Sequence, residues 1–320
     1  MNISYLLPVR AGEPAGVEMA DYLAWLARRV ELIVVDGSCP AVFAAHARQW
    51  SGIELQHLPL DSDLRHMVNG KVAGVLTALR RATHELVIVA DDDVRYDETN
   101  LHAMAAALEV ADVVRPQNYF DPLPWHAIVD TGRTLLNRIS GGDWPGTIGV
   151  RRAMLIATRG YSGDVLFENL ELVRTVVAAG GTQACPLGLY VKRLAPPTAH
   201  FWSQRVRQAY DEFARPWRLA VWLAVLPVSI ALAALSPWAL TPVAAAVMFA
   251  AEIGRRRSGG AAVFPFITVL AAPVWVCERA VCAWLAVAAR LAWGGIPYRG
   301  LIIAKAATPA RVLEQHLKGA

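Results

Sequence analysis

Three consecutive aspartates, Asp91-Asp92-Asp93, end an apolar run over Leu86–Ala90. Adjacent carboxylates repel one another, so such a cluster is costly unless a cation sits beside it. Mg²⁺ or Mn²⁺ meets that need with oxygen ligands and can bridge the phosphates of a nucleotide. The plain alternative is a solvated acidic turn, with aspartate as turn residue or helix cap. Asp36-Gly37-Ser38 closes a second apolar run. Its carboxylate suits hydrogen bonds from a base or ribose, or the three residues simply form a tight turn. Asn69-Gly70-Lys71 opens a helical pattern; backbone N–H groups and a lysine there suit an anion, although a solvated helix start has the same composition.

These residues need elements to hold them. Apolar runs at 3–9, 31–35, 53–58 and 86–90 read as strands, and 112–115 is again strand-like. Helical spacing appears at 17–29, 68–83, 101–109 and 164–179, the last closed by Gly180-Gly181. Strands separated by helices of this length predict an α/β domain with a mainly parallel sheet and ligands at the strand carboxyl ends.

The last third is different. Hydrophobic residues make up 55% of the 320 and charged residues 18%, against a usual charged share of roughly 25%. That excludes a disordered chain, and the apolar excess is concentrated after residue 218. No charged residue falls in 219–251, 258–277 or 280–289, and Glu278-Arg279 separates the last two runs. A span needs about 20 mostly apolar residues. Ser236-Pro237 divides the first run into an expected pair of helices, whereas the rest reads as one long helix or two short ones. Two, three or four crossings fit. A buried helical bundle is the alternative. Arg255-Arg256-Arg257 between the runs places that loop on the cytosolic side. The opening apolar stretch lacks a basic n-region and a cleavage site, so the first 200 residues are expected in the cytosol. Residues 202–217 carry Trp202, Val206, Tyr210, Phe213 and Trp217 at helical spacing, which predicts an amphipathic helix lying in the headgroup plane or packed on the soluble domain. Arginine outnumbers lysine 27 to 4 without interleaved aromatics, so nucleic acid is not an expected partner. Cys39, Cys185, Cys277 and Cys282 have no metal or disulfide spacing and are expected as free thiols.

In combination these motifs become specific. Pro8 at the end of the first strand with Glu13 nearby, then Asp36-Gly37-Ser38, Asn69-Gly70-Lys71 and Asp91-Asp92-Asp93 resemble, in order and spacing, the family-two inverting glycosyltransferases. The resemblance covers residues 3–208 and implies a GT-A fold, Rossmann-like with a mainly parallel mixed sheet, followed by C-terminal transmembrane helices. The membrane segments are similar to those of ceramide glucosyltransferases and related bacterial lipid-modifying enzymes. Together with the uncharged runs and the 202–217 spacing, the expected division is into four parts: a cytosolic catalytic domain over 1–201, an interfacial helix over 202–217, a transmembrane region over 218–293 and a tail over 294–320.

The same resemblance implies roles. Asp36 would bind the uracil or ribose of a nucleotide-sugar donor, with Pro8 and Lys71 on the donor side. Asp91 and Asp93 would form the DxD pair holding Mn²⁺ or Mg²⁺ on the diphosphate, Asp93 most directly. Gly146-Thr147-Ile148-Gly149-Val150-Arg151-Arg152 looks like the acceptor-side segment, with Gly149 leaving room for the sugar; both glycines could equally be turn residues.

Two positions depart from the pattern. Family members carry Glu-Asp near a helix start, with Asp as general base; here Phe167-Glu168-Asn169 places an amide there. An amide cannot accept a proton at neutral pH, so Glu168 or Asp164 serves instead, or the acceptor is an ionised phosphate that needs no base. The (Q/R)xxRW motif is present as Gln204 and Arg207, with Gln208 in place of Trp. In processive synthases that Trp lies by the acceptor sugar. Gln204 would be acceptor-side, and Arg207 a diphosphate or headgroup contact. Glu278 and Arg279 are functional or lie at a membrane surface, and Arg299 is expected near an anionic headgroup. The expected protein is an integral membrane enzyme of a bacterial inner membrane that passes a hexose from a UDP-sugar to a lipid acceptor. A polysaccharide synthase subunit and a catalytically silent scaffold are the alternatives.

Overall fold

The structure is a computed structural model describing residues 1–298 and 300–318, so Arg299 lies outside the described residues. The chain divides into two compact units. One holds Met1–Pro116, Pro145–Ala184 and the closing helix; the other holds Gln117–Trp144 and Cys185–Pro309.

The elements begin with β1 (Ile3–Val9), α1 (Val17–Ala27), β2 (Glu31–Asp36), α2 (Pro40–Gln49), β3 (Gln56–Pro59) and α3 (Gly70–Leu79). Next come β4 (Leu86–Ala90), β5 (Val94–Arg95), α4 (Glu98–Val110), β6 (Val113–Val114), β7 (Gln117–Phe120) and α5 (Trp125–Asn137). The middle of the chain supplies β8 (Thr147–Arg151), α6 (Arg152–Ala157), α7 (Glu168–Ala178), β9 (Gln183–Ala184), β10 (Tyr190–Arg193) and α8 (Thr198–Tyr210). The last third is α9 (Pro216–Leu235), α10 (Leu240–Arg256), α11 (Ile267–Leu270), α12 (Ala272–Trp293), the hairpin β11 (Ile296–Tyr298) and β12 (Leu301–Ile303), and α13 (Ala310–Lys318).

The first unit is built on a seven-stranded sheet in the order β3-β2-β1-β4-β8-β6-β9. β1 pairs in parallel with β2 and β4, and β3 with β2, while β8 runs antiparallel to both β4 and β6. The continuous apolar runs of β1, β2 and β4 reflect burial on both faces, which a parallel sheet covered by helices requires. α3 is buried from Val72 through Leu79. Its close approach to β1 depends on Gly74, where an added Cβ would stand 2.7 Å from Pro8 Cβ.

The second unit is mainly helical, with β7 and β10 pairing in parallel. α9 and α10 form the expected pair about Ser236, and α12 runs unbroken through Glu278-Arg279. Two stretches, Pro216–Leu235 and Ile267–Trp293, are long and apolar enough to cross a membrane. In the second, 44% of the apolar window is buried within the protein; in the first, none is.

The expected continuous amphipathic helix over 202–217 is not present. α8 ends at Tyr210, a short 3₁₀ turn covers Asp211–Ala214, and α9 starts afresh at Pro216. α8 buries only part of the aromatic stripe, Tyr210 but not Trp202. Its buried residues are Phe201, Arg205, Ala209 and Tyr210, whereas Trp202 is half exposed. Arg205, assigned by spacing to the polar side, is turned inward and pairs with Asp130 of α5 and Glu278 of α12, at 2.8 and 2.7 Å.

Candidate active site

The carboxyl end of β4 meets the first turns of α3 and α7. Asp91 lies just past β4, where its N–H donates to Gly146 O at 2.8 Å and extends the β4–β8 ladder by one bond. Asn69 caps α3 through Oδ1, which accepts from Lys71 N at 3.1 Å. The Asn69 N–H and Nδ2 donate to Gly163 O and Val165 O, so the cap also secures the loop leading into α7. With both starts held, Lys71 Nζ reaches Asp91 Oδ1 at 2.5 Å and Glu168 Oε1 at 2.8 Å.

This cluster is partly closed to solvent, with Lys71, Asp91 and Glu168 side chains 17, 24 and 18% exposed. Burial alone would lower the Lys71 pKa, but the adjacent Asp91 and Glu168 carboxylates outweigh it and hold the ammonium protonated far above the usual lysine range. Lys71 engages Oε1 of Glu168; Oε2 has no hydrogen-bond partner among the described residues. Glu168 is therefore oriented by one oxygen while the other stays available to a proton.

Asn169 explains its own departure from the family pattern. Its Nδ2 donates to Pro145 O at 2.9 Å, and its Oδ1 faces Lys71 Nζ at 3.4 Å. A carboxylate has no hydrogen to give that carbonyl. Asp164 is exposed at the loop tip, where its N–H donates to Ser162 Oγ. Tyr161, which sequence reasoning missed, is 7% exposed and lies in the electrostatic field of Lys71, Glu168 and Asp91. Burial raises its phenol pKa, so it stays a neutral donor. No local pattern marks it, because a lone tyrosine in a loop carries no spacing signal.

Asp36, expected at the base or ribose, is buried with its oxygens occupied. Ser38 N donates to Oδ1 at 2.9 Å, and Oδ2 meets His46 Nδ1 at 2.6 Å and His57 Nε2 at 3.1 Å. Burial pushes its pKa up, but the hydrogen bonds from His57, Ser38 and His46 prevail and hold it well below the carboxylate range. One carboxylate and two imidazoles of this kind can ligate metal, and the three ligand atoms lie within 4.8 Å of one another. The hydrogen bonds exclude that use. Ala15 N donates to His46 Nε2 at 2.9 Å, so Nδ1 carries the proton and both ring nitrogens are taken.

The DxD carboxylates fit a metal better. Asp91 and Asp93 offer hard oxygen donors at a strand end, the ligand type Mn²⁺ and Mg²⁺ require. Asp91 already faces the Lys71 ammonium, so Asp93 would be the more direct ligand. Pro8 lies beneath α3 against Gly74. Gly149 corrects its expected role. It is buried in β8, and an added Cβ would stand 2.5 Å from Met104 Sδ and 3.0 Å from Leu108 Cδ1, so the room it makes is for α4 and not for a sugar. In the second unit Arg207 lies over the Tyr298 ring at 5.2 Å, and Gln204 Nε2 donates to Ser203 Oγ. Gln208, at the motif's Trp position, accepts from Arg205 Nη1 at 2.9 Å.

No family model matches the chain, and no curated protein matches it. Solved structures do. The mannosyltransferase PcManGT from Pyrobaculum calidifontis, in complex with GDP-Man and Mn²⁺, superposes with a TM-score of 0.51 at 18% identity, over 88% of this chain and 87% of that one. The chain has a glycosyltransferase fold. More distant are TarS 1-349 of S. aureus with UDP-GlcNAc (TM-score 0.44, 18% identity, 63% and 61% of the two chains) and glucosyl-3-phosphoglycerate synthase of Mycobacterium tuberculosis (0.42, 17%, 62% and 74%). Within this glycosyltransferase fold, the Lys71 cluster occupies the carboxyl end of a parallel strand, where open α/β sheets bind ligands.

Proposed function

We propose that the protein is an inverting, membrane-bound glycosyltransferase that moves a hexose from a nucleotide sugar to a lipid acceptor. The observation that carries this reading is the convergence of Asp91, Lys71 and Glu168 in a glycosyltransferase fold. The donor class is supported by PcManGT, a structural relative solved with GDP-Man and Mn²⁺; we take UDP as the nucleotide from the sequence resemblance.

Asp93, with Asp91, would hold Mn²⁺ or Mg²⁺, which when bound supplies charge that neutralises the leaving diphosphate. Lys71 adds a fixed cation on the same side and orients Glu168. An acceptor hydroxyl attacks the anomeric carbon on the face opposite the diphosphate. The new glycosidic C–O bond forms as the bond to the diphosphate breaks, and the hydroxyl proton passes to Glu168 Oε2.

The lipid acceptor rests on α9. None of its twenty residues is buried, and Trp217, Val221, Val228, Ile230 and Leu235 are exposed by 52 to 83%. An apolar face of that length needs a cover, and a bilayer supplies one. We place the catalytic unit on the cytosolic side of a bacterial inner membrane.

The test is release of nucleoside diphosphate by detergent-purified protein over a panel of nucleotide sugars, with Mn²⁺ or Mg²⁺ and total bacterial lipid. Lipid-dependent release that Asp93→Ala abolishes is the expected result. Release from no donor, or equal transfer to soluble sugars, would sink the proposal.

A further inference from the structure

The interior of the second unit holds many charges, and almost all are matched. Arg205 pairs with Asp130 and Glu278, Arg133 with Asp130 and Asp143, and Arg215 and Arg218 with Glu212. Arg279 is the exception. It is 3% exposed on the inner stripe of α12, yet among the described residues its guanidinium makes no ion pair and no hydrogen bond. Its guanidinium carbon lies over the face of Trp275, 5.4 Å from the ring centroid.

Trp275 has the same deficit. It lies one turn earlier on the same stripe, is also 3% exposed, and its indole Nε1 has no acceptor among the described residues. Two buried donors, one of them cationic, thus stand side by side without a hydrogen-bond acceptor among the described residues. A buried unpaired donor costs free energy, and a buried unpaired charge costs more. Such groups persist where a ligand satisfies them. The required ligand must be anionic and must offer several acceptor oxygens. A phosphate does both, and guanidinium matches its geometry with a fork of donors.

Two further observations favour the anion. Arg205, Arg133, Glu278 and Glu212 are the electrostatic neighbours of Arg279; each carboxylate is already paired with another arginine, and the oxygens left without a hydrogen bond, Glu278 Oε1 and Glu212 Oε2, make none with Arg279. Trp222 of α9 packs edge-on against Trp275 at 5.2 Å, so the pair lies beside the helix with no buried residue. We infer that Arg279 and Trp275 form a phosphate-binding site for the headgroup of an anionic lipid. The lipid source rests on the membrane reading above; the anion chemistry does not.

The test measures binding to the detergent-purified full chain by calorimetry, with dodecyl phosphate, dodecanol and inorganic phosphate as probes. Wild type should bind dodecyl phosphate and not dodecanol. Arg279→Gln should weaken that binding by at least about tenfold, Arg279→Lys should restore part of it, and Trp275→Phe should weaken it several-fold while keeping the ring. Helical circular dichroism and melting confirm that each variant is folded. A purely structural Arg279 would lower the melting temperature yet leave dodecyl phosphate binding in the folded fraction unchanged, and that result overturns the inference. Inorganic phosphate binding as tightly as dodecyl phosphate overturns the lipid source. Because no sugar transfer is measured, failure of the glycosyltransferase reading shows separately, as absent diphosphate release with dodecyl phosphate binding intact.

Discussion

Lys71 Nζ lies 2.8 Å from Glu168 Oε1, although the two residues are 97 positions apart and open different helices. The same nitrogen holds Asp91. Removing the amine leaves two carboxylates in a partly closed site without their cation. Lys71→Met is expected to cost about 2–3 kcal/mol, toward the low end for breaking a buried pair because the site keeps some solvent. Transfer should fall by about two orders of magnitude or more, since Glu168 loses its orientation and the diphosphate a fixed charge. Urea unfolding and diphosphate release check the two effects. A variant with wild-type turnover would show that Lys71 only balances charge.

Asn169→Asp supplies the residue that the resembled glycosyltransferases carry. We nevertheless expect it to impair the protein. The new carboxylate would face Pro145 O with no hydrogen to donate and would stand beside Glu168 and Asp91. The cost is about 1–3 kcal/mol for the lost buried hydrogen bond, with no gain in turnover. Glu168→Gln, by contrast, should remove turnover and retain stability. If Asn169→Asp were faster than wild type, the assignment of the base to Glu168 would be wrong.

Asp36 should shape the acid limb of the stability curve. Its folded pKa lies below the unfolded value, so its contribution is fully present above about pH 4 and is lost as pH falls through the folded pKa. Asp36→Asn is expected to lower stability at neutral pH by about 2 kcal/mol, because two imidazoles and an amide lose a charged acceptor. The difference from wild type should shrink on acidification below pH 4. Unfolding free energies measured from pH 7 to pH 2 test this; a constant difference would show that the carboxylate charge is not what matters.

Gly74→Ala separates packing from chemistry. Alanine favours a helix interior over glycine by about 1 kcal/mol, but its Cβ would press on Pro8, a rigid ring that cannot turn aside. Overpacking of about 1–3 kcal/mol outweighs that gain. Relief by a shift of α3 would carry Lys71, one turn away, from Asp91 and Glu168. Turnover should therefore fall further than stability does. A variant more stable than wild type with full activity would mean that α3 has room to move.

The sequence by itself determined strands β1, β2 and β4, the carboxylates that follow them and the α9–α10 helix pair. A run such as Leu86–Ala90 followed by three aspartates has one favourable reading, because burial on both faces and an abrupt end in carboxylates are local properties. The start of α3 was equally legible, since Asn69 caps its own helix. The tertiary structure alone decided which partners those residues meet. Gly149 faces α4, Arg205 turns inward to Asp130 and Glu278, and Asp36 turns to His46 and His57. Helical spacing separates faces, but it cannot tell a polar face in water from one closed by countercharges on another helix. For Lys71 the distinction is the chemistry itself: an ammonium at a helix start becomes the link between Asp91 and Glu168 only because the sheet brings β4, α3 and α7 to one edge.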